Sequence, residues 1–339
     1  MLNSCDIAVV GATGLVGESL IALLEEREFP LGHLYLLAGP DSAGTRVKFR
    51  GGYVSVRELA GFDFSQVGLA IFATSSQVAA EFVPRATAAG CVVIDTSTQF
   101  RADPDVPLIV PEINATAIAG YRKRRLLATP GSAIAPLLLA IQPIHKAVGV
   151  ESLSVTTLQP VSSRGRTAIE DLATQVATLL NGLPIESRVF PKQIGFNCLP
   201  DIDASVDNGY TKLEMQQRAD ARRVLDDDNL AVQFTCVGVP VFYGEAQVVE
   251  VVTRKPLAAR DARRLLEAAS GLQVQAGSQP GSAPSPVEVA GQDAIYVARI
   301  RDSLATPRGL SMWVVADNVR RGVAGNAVRV AEILVKEYL

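Results

Sequence analysis

The first 130 positions alternate short apolar runs with helical spacing. Ile7 to Val10, Leu34 to Ala38, Leu69 to Ala73 and Val92 to Thr96 read as strands. Glu18 to Arg27 and Ala79 to Ala89 carry the spacing of helices. This order predicts an α/β fold with a mainly parallel sheet covered by helices on both faces. From Ser152 the pattern changes. Long β-branched runs appear at Leu153 to Leu158, Val232 to Val241, Gln247 to Arg254 and Asp293 to Ile300. Helices are expected at Thr167 to Leu180, Lys212 to Leu225 and Arg260 to Ala269, giving a second, α+β domain with a large sheet. Ala276 to Pro286 is rich in Gly, Ser and Pro and reads as a surface loop, and Arg321 to Tyr338 as a final helix.

Composition narrows the function classes. At 339 residues the chain has room for two substantial cores, and 48% hydrophobic with 20% charged residues is ordinary for a globular protein. A net charge of -3 with mixed signs offers no nucleic-acid footprint and no basic membrane-binding helix. The most apolar stretch, Ile134 to Ile144, is short and carries Pro136 and Pro143, so no membrane span is expected. Asp6-Ile7-Ala8-Val9-Val10-Gly11 follows the N-terminus without a basic leader, so the expected location is cytoplasmic. Four scattered cysteines (Cys5, Cys91, Cys198, Cys236) and two histidines give no metal-ligand spacing and no disulfide framework.

The first chemical signal is Gly11-Ala12-Thr13-Gly14-Leu15-Val16-Gly17, between the first strand and the first helix. Glycines there allow a tight turn and let backbone N–H groups and a helix N-terminus approach a pyrophosphate. The second strand ends at Leu37-Ala38-Gly39-Pro40-Asp41, which puts Asp41 where a ribose-binding acid is expected. A carboxylate accepts from the 2′-OH of NAD and repels the 2′-phosphate of NADP, so NAD is the expected cofactor. The plain alternative is that Asp41 is a solvated turn residue beside Pro40.

Further motifs run the length of the chain: Ser42-Ala43-Gly44, Asp95-Thr96-Ser97-Thr98-Gln99-Phe100-Arg101, Val110-Pro111-Glu112-Ile113-Asn114 and Gln159-Pro160-Val161-Ser162. They continue through Pro200-Asp201-Ile202-Asp203, Asn208-Gly209-Tyr210-Thr211, Val239-Pro240-Val241, Asp317-Asn318 and Gly325-Asn326-Ala327. On these residues the chain resembles the bacterial aspartate-β-semialdehyde dehydrogenases, and most nearly their Usg-type paralogues. The resemblance implies a Rossmann domain (1–131 and 316–339), a substrate and dimerisation domain (132–315), and a homodimer. It implies nucleotide contacts from Ser42, Thr74, Ser75 and Asn318 besides the glycine loop, and an anion site at Arg101. Family enzymes reductively dephosphorylate aspartyl phosphate to the semialdehyde with NADPH.

Several positions depart from that pattern. By the resemblance the nucleophilic cysteine falls on Ser132, the asparagine before it on Gly131 and the histidine base on Glu245. The substrate-clamping arginine falls on Gly238, helix residues that contact substrate on Leu213 and Gln216, and the arginine near the 2′-phosphate on Asp41. Arg101 and Gln159 are kept. A hydroxyl is a poor nucleophile without a base, and a glutamate near its ordinary pKa of about 4.3 is a feeble one. Neither His33 nor His145 is close along the chain. Three readings follow: an impaired, ligand-binding paralogue; an NAD-linked oxidoreductase or acyl hydrolase in which Ser132 and Glu245 cooperate, Arg164 and Arg166 recruiting a different small anion; or a dimerising partner protein. The bland reading of the two arginines is solvated surface charge.

Overall fold

The computed structural model describes residues 5–277 and 279–339. The reading of the N-terminus rests partly on Met1 to Ser4, which lie outside the described residues, as does Ser278 of the expected surface loop. The chain divides into two compact units, residues 1–131 with 323–339 and residues 132–322.

The first unit is built on seven strands: β1 (Cys5–Val10), β2 (Leu31–Ala38), β3 (Arg46–Phe49), β4 (Gly52–Glu58), β5 (Leu69–Phe72), β6 (Val92–Asp95) and β7 (Leu126–Ala128). Their order is β3-β4-β2-β1-β5-β6-β7, and every neighbouring pair is parallel except the β3–β4 hairpin. The order reverses beside β1, where a doubly wound sheet opens a crevice at its carboxyl edge. Helices α1 (Leu15–Glu26), α2 (Ser76–Ala88) and the short α3 (Pro111–Asn114) complete the βα pattern. The hairpin has no clear alternation in sequence. Its turn is made by Arg50 and Gly51, both at positive φ (48° and 76°), the twist that a two-residue hairpin requires.

The C-terminal helix (Gly325–Glu337) packs Val328, Ala331 and Leu334 into the same core as Ile7, Val9, Leu20, Leu24, Ile71 and Ile94. Buried Asn326 donates to the Ile109 carbonyl at 2.9 Å, and the Arg27 and Glu332 side chains pair at 2.6 Å. That helix begins later than the expected Arg321, because residues 320–324 form a wider π-type turn. The expected boundary at 316 also moves. Ala316 ends a strand of the second sheet, and Asp317 and Asn318 hydrogen-bond within the second unit, so the chain crosses back only after Gly322.

The second unit holds β8 (Val150–Gln159), β9 (Ala231–Gly238), β10 (Glu245–Thr253), β11 (Leu272–Gln275), β12 (Ile295–Asp302) and β13 (Gly309–Ala316), in the order β11-β12-β13-β10-β8-β9. Its β8–β9 and β11–β12 pairs are parallel and the rest antiparallel. The helices are α4 (Ile134–Val148), α5 (Arg166–Leu180), α6 (Lys212–Leu225), α7 (Ala259–Glu267) and the short α8 (Pro286–Val289). The interrupted apolar stretch is α4. Pro136 sits in its first turn, where the missing N–H has no intrahelical partner to lose, and Pro143 is accommodated nearer the other end. Leu153, Val155, Thr157 and Gln159 are buried on one face of β8, whereas Ser154, Thr156 and Leu158 lie on the other, which is more open.

Candidate functional site

At the carboxyl edge of the first sheet, the glycine loop is held by contacts that admit no side chain. Gly11 has φ +83°, and a Cβ there would lie 2.3 Å from the Ala73 carbonyl oxygen. At Gly17 a Cβ would lie 2.1 Å from the Gly11 carbonyl oxygen, so α1 seats directly on the turn. Gly14 is the N-cap of α1 and offers no capping side chain, which leaves the N–H groups of the first turn, from Leu15 and Val16 onward, without one. Thr13 Oγ1 donates to Ser42 Oγ at 3.1 Å, tying the loop to the end of β2. Asp41 is exposed in that short turn. Thr74 lies against Gly11, and its buried hydroxyl has no hydrogen-bond partner among the described residues. Ser75 Oγ caps α2 by accepting from Val78 N. Gly11, Thr13, Thr74, Ser42 and Asp41 thus gather at one edge, and the uncapped helix end and orphaned Thr74 hydroxyl fit a dinucleotide.

Arg101 also belongs to this unit. It is buried, donates to the Thr96 carbonyl at 2.7 Å, and a Cβ on Gly131 would lie 3.4 Å from its Nη1. Burial pushes the Asp95 carboxyl up, opposed by hydrogen bonds from Ser97 and by the Arg101 charge.

The second unit holds Ser132 and Glu245. Ser132 lies one residue before Ala133, the N-cap of α4, and Glu245 opens β10 after Gly244, whose φ is +89°. Ser132 Oγ donates to Glu245 Oε2 at 2.7 Å. Glu245 is 4% exposed, and its Oε1 has no hydrogen-bond partner among the described residues. Burial pushes the carboxyl up to about 7, against the lowering by the Ser132 hydrogen bond. This corrects the expectation of an ordinary glutamate: desolvation, invisible in the sequence, moves its titration to neutral pH.

Gln159 ends β8 on the same buried face, in register with Gly238 of β9. Its side chain is 6% exposed and makes no hydrogen bond among the described residues. Asn318 is turned inward. Its Oδ1 accepts from Gly244 N at 3.1 Å and its Nδ2 donates to Ser162 Oγ at 3.0 Å, so its amide fixes the strand ends around Glu245. Arg164 is exposed, with its guanidinium 5.8 Å from the Phe190 ring centroid, and Arg166 is exposed as well.

Some contributors had no signal in the sequence. Gln247 donates to the Ala133 carbonyl at 2.7 Å, and a Cβ on Gly322 would lie 2.7 Å from the Ser132 carbonyl oxygen. Both pin the backbone that carries Ser132. The thiol on this sheet face, Cys236, is pushed up to about 12 by burial, with Glu214, Glu245 and Asp203 adding to the rise, so it is no thiolate at neutral pH. His145 sits at the far end of α4, accepting from Val150 N, and His33 is an exposed residue beside Asp6 in the other unit. Among the described residues no group of three or more His, Cys, Asp or Glu is placed to hold a metal, and no helix is long and apolar enough to cross a membrane.

A doubly wound nucleotide-type sheet joined to a mixed-sheet unit with a polar inner face defines a two-domain α/β protein of dehydrogenase architecture. Residues 6–121 match the NAD binding domain of semialdehyde dehydrogenases, and residues 141–321 match their dimerisation domain. The chain belongs to the aspartate-semialdehyde dehydrogenase family. It is 44% identical over 339 residues, the whole of both chains, to aspartate-semialdehyde dehydrogenase 2 of Vibrio cholerae, and 38% identical to a USG-1 protein homolog of Azotobacter vinelandii over 99% of each chain. A crystal structure of aspartate semialdehyde dehydrogenase II from Vibrio cholerae complexed with ASA superimposes with a TM-score of 0.97 at 44% identity, covering 99% of this chain and 100% of that one.

Proposed function

We propose that this chain is a nucleotide-binding member of its family in which thiol-dependent reduction of an acyl phosphate is lost or strongly impaired. The observation that carries this reading is the Ser132–Glu245 pair, an alcohol bonded to a buried carboxyl where the resemblance puts a cysteine and a histidine. An alcohol forms no substantial anion at neutral pH, and an oxygen ester is less open than a thioester to displacement by phosphate. The glycine loop, the bare N-terminus of α1 and the Thr74 hydroxyl hold the pyrophosphate and ribose side of NAD, and the nicotinamide supplies hydride chemistry when bound. Asp41 favours NAD over NADP, because its carboxylate repels a 2′-phosphate. The more open face of the second sheet, with Leu158, Val248 and Trp313, serves a homodimer. Calorimetric titration with NAD and NADP, beside a turnover assay on aspartate semialdehyde with phosphate, tests this. Turnover at the rate of a working dehydrogenase ends the proposal.

The neutral-range titration of Glu245 favours a second reading, acyl-group hydrolysis. In it Ser132 Oγ attacks the acyl carbonyl, Glu245 takes the hydroxyl proton, and the leaving group departs with that proton. Water then cleaves the ester, returning the acid and the free hydroxyl. Hydrolysis of an activated acyl ester that persists unchanged in Ser132→Ala removes this reading.

A further inference from the structure

Three arginines of the second unit line one cavity that no acid shares. Arg263 lies on α7, where the acid of the first turn, Asp261, is already paired with Arg260 and Arg264, at 3.6 Å each. Arg263 is half-buried, and its Nη1 is shut off from solvent with no hydrogen-bond partner among the described residues. Arg299 and Arg301 are exposed residues of β12. The register there passes from Ala298 opposite Trp313 to Arg301 opposite Ser311, so Arg299 and Ile300 share the one partner Met312 in a bulge. Arg299 has φ +54°, a left-handed conformation that arginine rarely adopts, and the bulge re-aims it so that both arginines of the strand reach the same cavity. Arg301 Nη1 donates to the Arg299 carbonyl at 3.0 Å.

The rest of the wall is the glycine- and serine-rich segment, and it is folded into a definite turn. Ser282 N donates to the Gln279 carbonyl at 3.1 Å around Pro280 and Gly281, the latter at φ +82°, as in a type II turn. Gly277 backs onto Ser282, where a Cβ would lie 2.4 Å from the Ser282 Cβ, and Trp313 Nε1 donates to the Pro284 carbonyl at 2.9 Å. The cavity measures about 500 Å³, within the range of small-molecule sites. Neither a carboxylate nor an aromatic ring lines it among the described residues. Cations gathered without counter-charge repel one another, and a buried guanidinium N–H without an acceptor is costly. An anion rich in oxygens answers both, and guanidiniums take phosphate oxygens in pairs. With no ring to stack on a base, recognition falls on the phosphates themselves.

We propose that Arg263, Arg299 and Arg301 form a binding site for a small compound carrying two or more phosphate groups, a site that shares no residue with the glycine loop or with the Ser132–Glu245 pair. Arg263→Gln combined with Arg299→Asn removes two charges and leaves asparagine, which tolerates the left-handed position. In calorimetric titrations of the full chain with inorganic triphosphate, this double variant is expected to bind roughly tenfold or more weakly than the wild type. Arg101→Gln, in the first unit, is expected to leave that binding unchanged. Equal affinity in the wild type and the double variant, as occupancy of the glycine loop or of Arg101 would give, overturns the proposal. So does the absence of binding at millimolar triphosphate. Thermal unfolding guards against a misfolded variant. Without anion the double variant is expected to melt no lower than the wild type, because like charges have been removed, and to lose the rise in Tm that triphosphate gives the wild type. A lower Tm without anion shows the arginines holding the fold instead of awaiting a ligand, and a changed oligomeric state shows a second copy of the chain supplying the counter-charge; either result overturns the proposal.

Discussion

The two units treat their polar edges differently. In the first, the chain keeps backbone free for something outside itself: α1 starts without a capping side chain, and Gly11 and Gly17 press so closely on neighbouring carbonyls that only hydrogen fits. In the second, the corresponding polar edge is turned in on itself. Ser132 donates to Glu245, Asn318 spends its amide on Gly244 and Ser162, and Ile202 fills the space over Gly238. A site made of backbone and small residues persists as long as the turn persists. A site made of side chains is rewritten by a few substitutions, and burial decides what the new groups do.

The largest test of that contrast restores side chains in the second unit alone. Ser132→Cys combined with Glu245→His is expected to raise turnover of aspartate semialdehyde with phosphate by about a hundredfold or more, the scale of a nucleophile and its base acting together. Unchanged rates would count against Ser132 and Glu245 as the residues that limit this reaction. On the first unit, Gly11→Ala forces a side chain into a left-handed residue and against the Ala73 oxygen. A cost of about 1–3 kcal/mol in the bound geometry predicts roughly a tenfold or greater loss of NAD affinity by calorimetry.

Glu245 offers an intermediate effect with a definite sign. Its carboxyl stands at about 7 in the fold against an ordinary 4.5. Between those values the folded chain keeps a proton that the unfolded chain has released, so stability is fully present below 4.5 and falls as pH rises towards 7. The gap corresponds to about 3 kcal/mol for a group this buried. Glu245→Gln cannot ionise, so urea unfolding is expected to show it gaining on the wild type between pH 5 and pH 8, with little difference near pH 4. Parallel pH profiles for the two proteins would show that Glu245 titrates normally. The smallest effect belongs to exposed Asp41: Asp41→Ala is expected to narrow the preference for NAD over NADP by about fivefold, as suits a solvent-screened charge. No change in the NAD to NADP ratio would return Asp41 to the role of a turn residue.

Much of this was legible in the residues themselves. Periodicity located the βα units and α6, and the glycine loop declared itself by falling between a strand and a helix. The β3–β4 hairpin and α4 were harder. One rests on a two-residue turn with little patterned flank, and the other hides its period behind Pro136 and Pro143. At the candidate site, Ser132, Glu245 and Gln159 stood out by motif position. Gln247 and Gly322 carried no such mark, since each acts on the backbone at Ser132 or Ala133, far off in sequence.

The sequence by itself determined the family, the alternation of elements and the identity of the groups at each strand end, because these depend on local spacing and residue type. The tertiary structure alone decided their behaviour. Whether Glu245 is an ordinary acid or one that titrates near neutrality depends on the water excluded from around it. Whether Gly238 leaves a hole or a filled wall depends on where Ile202 is folded. Both are properties of packing between residues far apart along the chain.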